Sequence, residues 1–258
     1  MRTIGVFDSG VGGVSVLKEV LKEFPNDNII YFGDSLNAPY GDRSIEEIRN
    51  LCLKVSDFLV FNKKVDAIVI ACNTATGAGM EIMKKKYPIP VVGVVNNGAK
   101  KALELTKNNK IGVIATPATV NMKVYPMAIH KISSLSKVYQ SKCPLFVEMI
   151  ENGWVDNFES DSLIKEYLSF LPKDIDTLIL GCTHYPLIRE YLEKFYNGNI
   201  IDPAKETAIS LKKIIGDSPK TNEHKNISFY VTGDVNKFKK VAGEFLGTPI
   251  TNIEKVIL

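Results

Sequence analysis

Cysteine is scarce and scattered in this chain: four among 258 residues, at positions 52, 72, 143 and 182, with no C-x-x-C pair. That spacing argues against a zinc ribbon and, in a reducing compartment, against a disulfide framework. No apolar stretch approaches the ~20 residues of a membrane-spanning helix. Charge of one sign is also missing, since 32 Lys and Arg face 29 Asp and Glu for a net charge of +3. The basic residues form scattered groups such as Lys84-Lys85-Lys86, so nothing demands a nucleic-acid partner. No Walker A sequence is present, which argues against nucleotide hydrolysis. The chain reaches Asp8 before a signal-peptide apolar region could form, so a cytoplasmic protein is expected.

What is there is an ordinary globular composition, 45% apolar and 24% charged with 18 Gly and 12 Pro, which excludes disorder and collagen. At 258 residues the chain sits at the upper limit for one hydrophobic core, and two domains are expected. Short β-branched runs at 3–7, 28–32, 67–71, 91–94, 111–115, 177–181 and 227–232 alternate with helical patterns. That alternation predicts an α/β fold with largely parallel sheets. Val14, Leu17, Val20, Leu21 and Phe24 recur at helical spacing up to Pro25, predicting an amphipathic helix between the first two strands. Ser44 and Glu47 form a capping box opening another helix, with Ile45, Ile48, Leu51, Cys52, Val55 and Phe58 on one face.

The sequence also echoes itself. Val65-Asp66-Ala67-Ile68-Val69-Ile70-Ala71-Cys72-Asn73-Thr74 returns as Ile175-Asp176-Thr177-Leu178-Ile179-Leu180-Gly181-Cys182-Thr183-His184. Ile4-Gly5-Val6-Phe7-Asp8 returns as Ile111-Gly112-Val113-Ile114-Ala115 at nearly the same distance before it. The repeat predicts two similar α/β domains, each a mostly parallel sheet flanked by helices. Turn residues at 96–98 place the break between them. The tail after Pro203, a helix-strand-helix-strand pattern whose last strand is expected over 250–257, is assigned to the first domain by analogy, giving 1–96 plus 208–258 and 97–207.

In open parallel sheets ligands bind beyond the carboxyl ends of the strands, where Asp8, Asp34, Cys72, Thr116 and Cys182 stand. Cys72 and Cys182 each precede a polar residue and then a helix. Both thiols are therefore expected at helix N-termini, whose dipole and free N–H groups favour a thiolate and bind carboxylates. Inert packing is the reading for Cys52 and Cys143. His184 stands where an imidazole could stabilise the Cys182 thiolate or relay its proton, with a structural hydrogen bond as the rival role; Asp8 could serve Cys72 in the same way. His130, His224 and Glu151 read as solvated surface and Trp154 as packing. Two other classes of function stay open. Gly10-Val11-Gly12-Gly13-Val14-Ser15 with Asp34 half-resembles the fingerprint of a nicotinamide-linked oxidoreductase, although Ser15 replaces the third glycine and Asp8 adds charge where a pyrophosphate would sit. A non-catalytic binder of small acids would use the same scaffold.

Taken in order, Gly5-Val6-Phe7-Asp8-Ser9-Gly10-Val11-Gly12-Gly13, Gly33-Asp34-Ser35, Pro39-Tyr40-Gly41, Ala71-Cys72-Asn73-Thr74-Ala75, Ala115-Thr116 with Thr119, Leu180-Gly181-Cys182-Thr183-His184-Tyr185-Pro186-Leu187 and Asp202-Pro203-Ala204 form a distinctive series. Over essentially the whole chain it resembles the cofactor-independent glutamate racemases of the aspartate/glutamate racemase family. The resemblance implies two domains related by pseudo-twofold symmetry with the active site between them. It also implies a cytoplasmic isomerase with no cofactor or metal, a homodimer by family habit, that interconverts L- and D-glutamate for peptidoglycan synthesis. By analogy Cys72 acts on D-glutamate and Cys182 on L-glutamate, from opposite faces of the α-carbon. At near-attack distance the two sulfurs would stand roughly 7 Å apart, too far for a disulfide. The family pattern gives Asp8 to Cys72 and His184 to Cys182 as proton partners, with Glu151 as a further contributor. Substrate recognition falls to Ser9, Asn73, Thr74 and Thr183, with Pro39, Tyr40, Gly41, Thr116 and Thr119 lining the rest. Two segments depart from the family, Asn96-Asn97-Gly98 and Val147-Glu148-Met149-Ile150-Glu151, and neither touches the cysteines.

Overall fold

A computed structural model describes residues 2–218 and 225–258; His224 lies outside the described residues. The strands found there are β1 (Thr3–Asp8), β2 (Asn28–Gly33), β3 (Ala67–Ile70), β4 (Val91–Gly93), β5 (Lys110–Ala115), β6 (Lys137–Lys142), β7 (Thr177–Gly181), β8 (Asn199–Ile201), β9 (Ile227–Val231) and β10 (Ile253–Lys255). They form two sheets, ordered β10-β9-β2-β1-β3-β4 and β6-β5-β7-β8, and every pairing is parallel. The run β2-β1-β3-β4 and the second sheet therefore share one order. Their registers agree too: Phe7 pairs with Ile70 as Ile114 pairs with Leu180. Cys72 and Cys182 each emerge just beyond one of these equivalent pairs, at the same end of their sheets.

Parallel strands buried on both faces explain the continuous apolar runs. Alternate residues serve different cores. Ile4 and Val6 of β1, Ile111 and Val113 of β5 and Ile179 of β7 face one cluster shared by both sheets. Phe7 and Ile70 face a second cluster, and Ile114, Leu178 and Leu180 a third. The helices Val14–Glu23 and Val94–Leu105 both pack against Ala204–Ile215, and the three contribute Leu17, Ala99 and Ala208 to the shared cluster. The two halves thus meet through a continuous apolar core. No helix among the described residues is long and apolar enough to cross a membrane.

Three expectations need correction. Residues 96–98 form no turn; they lie inside the helix Val94–Leu105, which carries the chain from the first sheet to the second. Asn97 folds its amide back onto the Gly93 carbonyl at 3.0 Å. Gly98 permits a tight crossing, since a Cβ there would lie 2.9 Å from Pro203 Cγ. Ile45 is exposed rather than on the buried face, because it occupies the first residue of its helix, while Ile48, Cys52 and Val55 are buried as the spacing predicts. Finally, β6 and β8 were not among the expected strands.

Candidate active site

A cleft of about 560 Å³ opens between the carboxyl ends of the two sheets, with Cys72 and Cys182 both on its wall. Each sulfur-bearing residue is almost buried, 5% and 8% exposed, yet open to this one space. The two walls differ chemically. Cys72 caps the 14-residue helix Asn73–Lys86, its Sγ accepting the Ala75 N–H at 3.4 Å. Burial, and then the charge of Asp8, push its thiol up to about 12, against the pull of the Ala75 N–H and the Ser9 hydroxyl. Cys182 meets no comparable helix. A single 3₁₀ turn, Tyr185–Ile188, follows it, and Pro186 within that turn removes one of the N–H groups a long helix would present. The expectation of two equal helix termini is thus corrected at Cys182.

A histidine stands there instead. His184 Nδ1 lies 3.7 Å from Cys182 Sγ, and its Nε2 lies 3.0 Å from Glu151 Oε1. Burial opposes charge on the ring, but hydrogen bonds and charges from Cys182 and Glu151 outweigh it and lift His184 to about 10. Burial acts on Glu151 in the opposite sense, yet the hydrogen bond and charge of His184, helped by Lys237, hold its carboxyl below the usual range. Glu151 is therefore engaged in a thiol–imidazole–carboxylate chain rather than being solvated surface.

Asp8 and Thr119 do not line the cleft. Asp8 is fully buried beneath it, accepting the Gly10 N–H at 2.9 Å and the Thr183 hydroxyl at 3.4 Å. Burial raises its carboxyl, partly offset by the charge of His184. Thr119 is equally buried; its hydroxyl stands 2.9 Å from that of Thr74 and 3.0 Å from that of Thr116. These hydroxyls tie the first half to the second behind the wall. Ser9, Pro39, Tyr40, Gly41, Asn73, Thr74, Thr116 and Thr183 all face the cleft. Lys237, Glu148 and Asp42 also line it; as exposed or half-exposed charged residues on amphipathic segments they carry no signal in the sequence. Among the described residues no cluster of three or more His, Cys, Asp or Glu is arranged to hold a metal.

The features of the dinucleotide reading are committed elsewhere. A Cβ on Gly12 would fall 2.5 Å from His184 Nδ1 and 2.6 Å from Thr183 Oγ1. The glycine turn thus admits the opposite half of the molecule rather than a phosphate. Asp34 is fully buried, with Tyr40 donating to it at 2.6 Å and Thr232 at 2.7 Å. Cys52 and Cys143 are buried outside the cleft wall. Trp154 packs edge-on against Phe146. His130, although on the surface, contacts the Ser136 carbonyl at 2.9 Å.

The profile of the Asp/Glu/hydantoin racemases matches residues 4–210. The chain belongs to this racemase family. Its similarity extends over whole lengths: a glutamate racemase from Persephonella marina is 42% identical over 258 residues, covering 99% of this chain and 97% of that one. The crystal structure of a glutamate racemase from Bacillus anthracis superposes with a TM-score of 0.92 at 38% identity, covering 100% of this chain and 98% of that one. A glutamate racemase from Francisella tularensis, solved in complex with D-glutamate, gives 0.92 at 40% identity, covering 99% and 97%. As a member of this racemase family the protein is an isomerase, and the cleft between its sheets is its candidate active site.

Proposed function

We propose that the protein interconverts L- and D-glutamate by proton transfer between two thiols, without a cofactor. One observation carries the reading: equivalent strand ends of two alike sheets bring Cys72 and Cys182 to one cleft. Inverting a stereocentre needs a base on one face of the α-carbon and an acid on the other, and a duplicated fold supplies both. The full-length likeness to glutamate racemases, one of them crystallised with D-glutamate, supports glutamate as the substrate.

Burial favours the thiol form of Cys72, and His184 Nδ1, 3.7 Å from Cys182 Sγ, is placed to exchange a proton with that sulfur. L-Glutamate then loses its α-proton to Cys182 Sγ. The carbon takes a proton from Cys72 on the opposite face, leaving a Cys72 thiolate and a Cys182 thiol. The Asn73 amide and the hydroxyls of Ser9, Thr74 and Thr183 suit the carboxylates and ammonium of the substrate. Desolvation in the narrow cleft strengthens each contact. The family resemblance further supports a cytoplasmic homodimer that supplies D-glutamate for peptidoglycan, with no nucleic-acid or membrane partner.

The test is circular dichroism of L-glutamate with dialysed protein and no added cofactor, followed by Cys72→Ala and Cys182→Ala. Loss of the L-signal with wild type, and a fall of about 10²–10⁴-fold in each variant, is the expected result. Retained inversion in either variant would overturn the two-thiol assignment, and an inert wild type the activity itself.

A further inference from the structure

Tyr125 lies in neither cysteine's wall, yet it touches the immediate neighbours of both. It belongs to the helix Val124–His130 in the second half and is fully buried in the shared core. Its hydroxyl donates to Asn73 Oδ1 at 2.6 Å, and Asn73 follows Cys72 directly. Its ring bears on Gly181, which precedes Cys182: a Cβ built there would lie 3.3 Å from Cε2. The opposite ring edge bears on Gly98 of the linking helix, where a Cβ would lie 3.3 Å from Cε1. One rigid side chain is thus wedged between backbone of the linking helix and the end of β7, with its tip on the residue beside the other thiol.

Resting on the two-thiol reading above, we propose that Tyr125 is a positioning residue for both thiols at once. Its ring sets the spacing of the cleft walls, and its hydroxyl fixes the Asn73 amide. With Asn73 Oδ1 engaged below, the NH₂ end is left for a substrate carboxylate. Without that bond the amide is free to rotate and offer its oxygen to an anion, which repels. The two roles separate by substitution. Tyr125→Phe keeps the wedge and removes the amide lock; Tyr125→Leu removes both. A planar ring is stiff where leucine yields, and two reacting groups an ångström out of place lose about 100-fold in rate.

The experiment measures kcat and KM for both enantiomers and, in deuterated water, the ratio of deuterium entering unreacted substrate to inversion. That ratio reports how often a proton returns to the face it left, and a variant that is merely less stable keeps the wild-type value. Wild-type inversion must be seen first; its absence sinks the racemase reading and this proposal together. With an active wild type, Tyr125→Phe is expected to raise KM about two- to tenfold at near-normal kcat and an unchanged ratio. Tyr125→Leu is expected to lower kcat about 100-fold in both directions and raise the ratio. If Tyr125→Leu does not fold, Tyr125→Met replaces it: the longer, flexible side chain fills more of the space without a stiff ring, and the ratio is expected to rise. A wild-type KM in Tyr125→Phe removes the amide lock. A wild-type ratio in folded Tyr125→Leu, or in Tyr125→Met, removes the wedge while leaving the racemase reading intact.

Discussion

Glu151 shows how much a residue's chemistry depends on what another part of the chain brings to it. Its Oε1 meets His184 Nε2 at 3.0 Å, so the carboxylate supports the charged imidazole that faces Cys182. Removing that charge lowers the imidazole pKa from about 10. In Glu151→Gln the alkaline limb of kcat/KM is therefore expected to move to lower pH, because His184 loses its proton earlier. The pH–rate profile of the free enzyme checks this, and an unmoved limb would take Glu151 out of the relay. Residue by residue, the sequence was legible where chemistry sits in a short motif. Cys72, Asn73, Thr74 and Cys182, Thr183, His184 read directly as strand-end triplets, and all six line the cleft. Helical spacing could only place Glu151 on a surface, and that surface turned out to be a cleft wall. Nothing local distinguishes Lys237 from the other lysines of its helix.

At the scale of elements, the capping box reads plainly and behaves independently of the site. Ser44 accepts the Glu47 N–H while the Glu47 carboxylate accepts the Ser44 N–H. Ser44→Ala is expected to reduce stability by about 1 kcal/mol, measured by denaturant unfolding, with kcat unchanged. A matching loss of kcat would show this helix end to be coupled to the cleft. Eight of the described strands stood out in the sequence, most of them as β-branched runs, because strands buried on both faces must be apolar throughout. The missed ones lack that signal. Lys-Val-Tyr-Gln-Ser-Lys forms β6 at a sheet edge with both ends charged, and β8 is three residues long. The turn expected at 96–98 failed for a different reason: Asn and Gly there serve a side-chain hydrogen bond and a close crossing within a helix, uses that composition cannot separate from a turn.

The whole molecule is a pair of sheets sharing one core, with β9 and β10 extending the first sheet past β2. Because the cleft takes walls from both sheets, a bound ligand is expected to stabilise the halves as one unit. D-Glutamate at about 100 times its Kd should add about 2.7 kcal/mol to the unfolding free energy, seen in calorimetry as one transition moving upward. Splitting into one shifted and one unshifted transition would place the ligand on a single half. Ending the chain after residue 218 would strip β9 from the edge of β2 and uncover Tyr31, which is buried against Phe229 and Phe238. Aggregation in size-exclusion chromatography is the expected result. The unequal dressing of the two sulfurs, one at a long helix end above an aspartate and one against a histidine, has a last consequence. Enantiomers have identical standard free energies in water, so their interconversion has no preferred direction, and kcat/KM must be the same for both. The lopsided cleft cannot act as a ratchet: if it holds one enantiomer more tightly, it must turn that one over more slowly in equal proportion.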